Sequence, residues 1–271
     1  MPVARKRSSG SSAQSKTIER AGRILACFTD AEPHLSLTDL AAKLELNPST
    51  AYRYIASLQH AGLLERDLRQ GGYRLGLRVI ELAGVALNQI EVRKHALDEL
   101  DRLRDETNLL SNLGVLFEGD VLHLAQSAPK DVPRMYTMIG RRAVAHCTAM
   151  GKVLLAYRPW GDVRRLVGEF GWRPYTPKSI QSFERLQAAL AEIRRRGYGI
   201  DREERRLGVG CLAAPIRERS GEVVAALSVS GALERLAGEG GGYSAHIRRR
   251  VLDAAHRISF RLGYQGTAAY M

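Results

Sequence analysis

A chain of 271 residues with 45% apolar and 26% charged residues has the composition of a folded globular protein of one large or two ordinary domains, which excludes a disordered chain. Its formal net charge of +12 points to an anionic partner, nucleic acid first among them. Apolar runs such as Val153-Leu154-Leu155-Ala156 are far shorter than the roughly 20 residues that cross a bilayer, so no membrane association is expected.

Residues 1–15 are basic and Ser-rich (Arg5, Lys6, Arg7, Ser8, Ser9), and no apolar stretch follows them. They read as a disordered basic arm rather than a signal peptide. The three cysteines, Cys27, Cys147 and Cys211, are odd in number, widely spaced and without a Cys-x-x-Cys pair. This argues against a disulfide framework or a zinc ribbon and for a reducing cytoplasm. Neither a metal nor a cofactor is expected.

From Thr17 to Phe28, Ile18, Ala21, Ile24, Leu25 and Phe28 recur at helical spacing. Ser36, with Asp39 three residues on, opens a short second helix through a capping-box-like start. Asn47 then serves as N-cap and Pro48 as first residue of a third helix that runs to about Ala61. Its inner stripe is Ala51, Ile55 and Leu58, which leaves Ser49, Thr50, Tyr52 and Arg53 on the outer faces, a set of side chains suited to a major groove. Gly62 ends the helix. Leu63–Arg66 and Tyr73–Leu75, joined by a polar turn, form a hairpin carrying Arg66, Arg69 and Arg74, the expected grip of a wing on phosphates. Residues 16–77 thus read as a winged helix-turn-helix.

Gly76 to about Asn108 is helical almost throughout, as one kinked helix or two. Its first part is apolar on more than one face, as a helix packed against a second copy would be. Beyond it, Leu110–Phe117 and Val121–Ala125 read as a hairpin, Arg134–Ile139 as a further strand, and Gly210–Ile216 with Val223–Val229 as a second pair. Helices are expected over Ala149–Tyr157, Phe183–Arg196 and Ser244–Leu262. The whole is an α+β domain with an antiparallel sheet.

Several segments resemble the IclR-type transcriptional regulators. They are His146-Cys147-Thr148-Ala149-Met150-Gly151-Lys152-Val153-Leu154-Leu155-Ala156, Asp201-Arg202-Glu203-Glu204, Gly208-Val209-Gly210-Cys211, and the stretch from Gly221 to Gly231 that holds Ser228-Val229-Ser230. Upstream, Asn47-Pro48-Ser49-Thr50-Ala51-Tyr52-Arg53 and Tyr73-Arg74-Leu75-Gly76 resemble that family's reading head and wing. The resemblance covers about residues 16–264. It implies a winged helix-turn-helix (16–77), a linker and dimerisation helix (78–95), a GAF-like effector domain (96–264) and a short tail (265–271). It further implies a homodimer or tetramer that binds double-stranded promoter DNA and senses a small metabolite, an organic or aromatic acid. The resemblance places Ala149, Met150, Gly151, Asp201, Cys211, Ser228 and Ser230 at the effector site.

The residues themselves leave other readings open. Gly151-Lys152 invites a phosphate loop, but His146 and Val153 stand where that motif needs Gly and Ser or Thr. N–H groups at the start of the 149–157 helix favour an anion, a carboxylate here, whereas Lys152 reads as a solvated or structural charge. Ser228 and Ser230 alternate along a strand and so face one side. Cys211 also reads as a small core residue. Cys211 with His146 or His123 lacks any nucleophile motif, so no enzyme is expected. The triplets Arg194–Arg196 and Arg248–Arg250 read as solvated helix faces. A sensor module that works through protein contacts, without DNA, is the alternative to the regulator. No residue decides between repressor and activator.

Overall fold

The computed structural model describes residues 16–130, 139–238 and 242–266. The chain divides into two compact units that meet between Ala86 and Leu87. The expected basic arm, and the expected strand up to residue 138, lie outside the described residues.

The first unit contains α1 (Lys16–Ala26), α2 (Leu37–Lys43), α3 (Pro48–His60), β1 (Leu64–Arg66) and β2 (Tyr73–Leu75). Ser36 and Asp39 form a complete capping box: the Ser36 hydroxyl accepts the Asp39 N–H at 3.1 Å, and the Asp39 carboxylate accepts the Ser36 N–H at 3.0 Å. At α3, Asn47 Oδ1 accepts the Thr50 N–H at 2.8 Å with Pro48 at the first helical position. Ile24, Leu40, Ile55 and Leu64 bury the three helices and the hairpin on one another. The hairpin gains a third partner, since the Leu35 and Tyr73 backbones exchange hydrogen bonds. Two glycines allow close approaches, at this contact and at the end of the hairpin. A Cβ on Gly72 would lie 2.5 Å from the Leu35 oxygen, and one on Gly76 would lie 2.2 Å from the Gly62 oxygen.

The helical stretch after the wing is two helices, α4 (Leu77–Asn88) and α5 (Glu91–Thr107). None of the residues of α4 is buried. By contrast, α5 contributes Val92, Ala96, Leu100 and Leu103 to the core of the second unit, so residues 91–95 belong to that unit rather than to a linker. No helix among the described residues is long and apolar enough to cross a membrane.

The second unit is built on a six-stranded antiparallel sheet in the order β5-β4-β3-β8-β7-β6. The strands are β3 (Leu110–Phe117), β4 (Asp120–Ser127), β5 (Arg142–Val144), β6 (Gly199–Arg202), β7 (Val209–Arg217) and β8 (Val223–Ala232). Three helices follow β5: α6 (Ala149–Ala156), α7 (Trp160–Phe170) and α8 (Phe183–Arg196). Then α9 (Leu233–Leu236) and α10 (Ala245–Arg261) follow β8. The short strands β5 and β6 and the helices α7 and α9 are additions to the sequence reading.

Strand alternation sends successive side chains to opposite faces. Leu113, Leu212, Leu227 and Val229 pack under α5 and α10, while Val121, Ala213 and Ala226 pack under α6, α7 and α8. The α5–α10 contact is tied by Glu99, fully buried, which accepts from Arg257 Nη2 at 2.8 Å and Arg261 Nη2 at 3.1 Å. The triplet at the end of α8 is more engaged than a solvated face would be. Arg194 donates to the Ala156 carbonyl at 2.8 Å, and Arg196 donates to the Tyr198 carbonyl at 2.7 Å.

Candidate functional site

Two candidate sites stand on the two units. On the first, α3 presents Ser49, Tyr52 and Arg53 exposed and Thr50 partly so, because Ala51, Ile55 and Leu58 take the opposite stripe into the core. The Ser49 hydroxyl donates to Asn47 Oδ1 at 2.9 Å, which holds it at the start of the helix. Arg20 Nη1 donates to the Tyr54 hydroxyl at 3.3 Å and ties α1 to α3. In the wing, Asp67 Oδ1 accepts the N–H groups of Arg69 at 2.8 Å and Gln70 at 3.0 Å, an Asx turn that shapes the tip. Arg66 and Arg69 are exposed. Arg74 is also exposed but leans on Glu65, donating at 3.2 Å. That carboxylate accepts the Leu77 N–H as well, at 3.1 Å, which binds the hairpin to the start of α4.

On the second unit, a cavity of about 620 Å³ opens where the N-terminus of α6 meets the sheet. The strand register explains which residues floor it. Asp201 pairs with Cys211, Cys211 with Ser230, and Ser230 with Leu110, which makes one row across four strands. The next row on the same face runs Ala213, Ser228, Asn112, Gln126. Asp201, Cys211, Ser228 and Ser230 therefore converge although they are distant in sequence. Ala149 and Met150 line the cavity from α6. Gly151 does not line it. A Cβ there would lie 2.2 Å from the Ala145 Cα, so this glycine lets α6 press against the backbone that follows β5.

Thr148 caps α6. Its hydroxyl accepts the Gly151 N–H at 3.2 Å and its carbonyl accepts the Lys152 N–H at 3.0 Å. The two remaining first-turn donors, on Ala149 and Met150, belong to the residues at the cavity wall. Unsatisfied N–H groups at a helix start favour an anion. Four arginines (Arg141, Arg142, Arg205 and Arg206) line the cavity against one carboxyl, Asp201. Arg142 is committed to Glu118 at 2.8 Å, and Arg205 lies 3.5 Å over the Tyr175 ring.

Burial raises the Asp201 carboxyl to about 6, while its Oδ1 accepts the Glu204 N–H at 2.7 Å. Lys152 is buried and paired with Glu204, so its charge serves the fold. Burial also pushes up the Cys211 thiol, and holds Cys147 at about 12. Both stay as thiols at neutral pH, the unreactive form. His123 is 5% exposed, and burial lowers its imidazole to about 4.

Asn112, His123 and Gln126 line the cavity and are absent from the sequence reading of the site. Their signal is a polar residue inside an otherwise apolar strand. Alternation along β4 alone misplaces His123 and Gln126, because the register shifts at Leu113/Gly114: Leu113 pairs with Ala125 and Gly114 with His123. Leu124 is the extra residue of this bulge, and it puts His123 and Gln126, three apart, on one face.

The description "IclR helix-turn-helix domain" matches residues 17–68, and "Bacterial transcriptional regulator IclR C-terminal" matches residues 84–260. The chain is 31% identical to the HTH-type transcriptional regulator XynR of Escherichia coli, over 92% of this chain and 98% of that one. It is 33% identical to a glycerol operon regulatory protein of Streptomyces coelicolor, over 92% and 96%. Among solved structures, an IclR transcriptional regulator from Alicyclobacillus acidocaldarius aligns with a TM-score of 0.79 at 26% identity, covering 91% of this chain and 98% of that one. An IclR homologue from Microbacterium hydrocarbonoxydans, complexed with 4-hydroxybenzoate, aligns with a TM-score of 0.77 at 27% identity, covering 91% and 98%.

Proposed function

The chain belongs to the IclR family of DNA-binding bacterial transcriptional regulators, and on that premise we propose that it is a ligand-responsive regulator whose effector is a small organic or aromatic carboxylate. The observation that carries the effector class is the cavity, where the first-turn N–H groups of Ala149 and Met150 at the start of α6 and a surplus of arginine surround a space of about 620 Å³. An anion is favoured there by the helix dipole and by the local charge. The volume admits a benzoate-sized acid, and one family structure holds 4-hydroxybenzoate.

In this reading α3 enters the major groove with Ser49, Thr50, Tyr52 and Arg53, and Arg66, Arg69 and Arg74 of the wing hold the backbone. Ala149, Met150, Asp201, Cys211, Ser228 and Ser230 contact the effector. Gly151 serves the site by letting α6 approach the sheet. The protein works in the cytoplasm as a homodimer or tetramer. Leu77, Ile80, Leu82 and Val85 of α4, which are 72%, 69%, 52% and 57% exposed, supply apolar surface for a second copy. Two heads on two half-sites then multiply affinity.

A thermal-shift screen of organic and aromatic acids, followed by binding to a DNA site recovered by in vitro selection, tests the reading. Arg53→Ala is expected to abolish binding to that site and to leave the acid's affinity unchanged. Normal DNA binding by this variant overturns the assignment of α3. Absence of any stabilising acid overturns the effector class.

A further inference from the structure

Among the described residues that line the cavity, His123 alone carries a buried side-chain polar atom, Nδ1, with no hydrogen-bond partner. Its position is fixed. The His123 N–H donates to the Arg141 carbonyl at 3.0 Å, and its own carbonyl accepts the Gly140 N–H at 2.9 Å. Its cross-strand partner is Gly114, so no side chain stands beside the ring on that strand. A Cβ on Gly114 would come within 3.5 Å of the Met150 Cε, so the ring and the start of α6 border the same space.

An unpaired buried polar atom is costly, and a group on the ligand that pairs with it removes the cost. The imidazole is neutral across the physiological range, since burial holds it at about 4. It offers a donor and an acceptor but no charge, which suits a hydroxyl and does not offset a second carboxylate. Resting on the reading of this cavity as a carboxylate site, we propose that His123 is a specificity-determining residue that selects a monocarboxylate bearing an uncharged polar group, a hydroxyl above all, over its unsubstituted and dicarboxylate counterparts. A site that bonds a hydroxyl rejects the analogue without it, because its own polar group is then left unpaired.

The test is titration calorimetry of the full chain with benzoate, the three hydroxybenzoate isomers and terephthalate. In the wild type the best hydroxybenzoate binds roughly tenfold or more tighter than benzoate, and terephthalate binds no better than benzoate. In His123→Leu the hydroxyl preference falls to within roughly threefold while benzoate affinity is kept, and the ligand-free variant melts no lower than the wild type. His123→Asn, which restores a polar atom near the Nδ1 position, keeps the preference. A wild type without the preference, or a His123→Leu variant that retains it, overturns the proposal while benzoate binding leaves the carboxylate reading standing. If no acid in the panel binds the wild type, the proposal fails, and the carboxylate reading stands or falls on the wider screen of organic acids.

Discussion

On one face of the six-stranded sheet, Leu113, Leu212, Leu227 and Val229 lie under α5 and α10 with 0% exposure. On the other face Asp201, Cys211, Ser228 and Ser230 stand beneath the start of α6 around a cavity. The same strands supply both faces, and Leu227, Ser228, Val229 and Ser230 alternate between them. The closed face is apolar packing throughout, whereas the other face packs apolar residues under α6, α7 and α8 and opens at the cavity. The open face gives up part of that burial and keeps hydroxyls, a carboxyl and an imidazole in its place. A strand can thus be changed for binding on one side without touching the side that keeps it folded.

This contrast can be broken by mutation, and the largest effect belongs to the closed face. Leu227→Ala should cost about 2–5 kcal/mol of stability in chemical denaturation, since it empties a fully enclosed site. Glu99→Gln should cost about 1–3 kcal/mol in the same assay, because it removes the buried charge to which Arg257 and Arg261 donate. A loss below 1 kcal/mol for either would mean that the α5–α10 side is not what holds the unit.

The open face should show itself through pH. The Asp201 carboxyl sits at about 6 in the fold against an ordinary value of 3.8. Between these values the folded chain keeps a proton that the unfolded chain has lost. Stability therefore falls as pH rises through that window, by on the order of 3 kcal/mol at most from this group. Asp201→Asn should flatten this slope between pH 4 and 7. A variant whose stability tracks the wild type in parallel across that range would show that Asp201 is not the group responsible. The smallest change in stability is expected for Ser228→Ala, within about 1 kcal/mol of the wild type in denaturation. Its effect should fall instead on the affinity for a bound acid. A large loss of stability there would put Ser228 in the structural class with Leu227.

The winged head was legible in the sequence because its signals are local. Ser36 with Asp39, Asn47-Pro48 and Gly62 act within a few residues, and each stands in the structure where the sequence puts it. Strands β3 and β8 were legible from their apolar patterns, and the meeting of Asp201 with Cys211 and Ser230 was implied by family resemblance rather than spacing. The bulge at Leu124 was not legible, since one extra residue changes which side chains share a face and leaves no compositional mark. His123 and Gln126 were missed for that reason. In the sequence, Gly151 at a helix start suits a ligand and a close backbone neighbour equally well. Only the 2.2 Å approach to Ala145 separates the two. The edge strands β5 and β6, of three and four residues, are too short for periodicity to register.

In the proposed function the cavity on the open face governs the DNA-binding head. By linkage, an effector that weakens or strengthens DNA binding must have its own affinity changed by DNA to the same degree. The direct measurement is fluorescence anisotropy of a selected DNA site at one fixed salt concentration, titrated with an acid that stabilises the protein, in the wild type and in Ser228→Ala/Ser230→Ala. Equal DNA affinity is expected for the two proteins without acid, with a response that needs roughly tenfold or more acid in the variant. An unchanged acid midpoint in the variant, or a wild type whose DNA affinity ignores the acid, would contradict the proposed function.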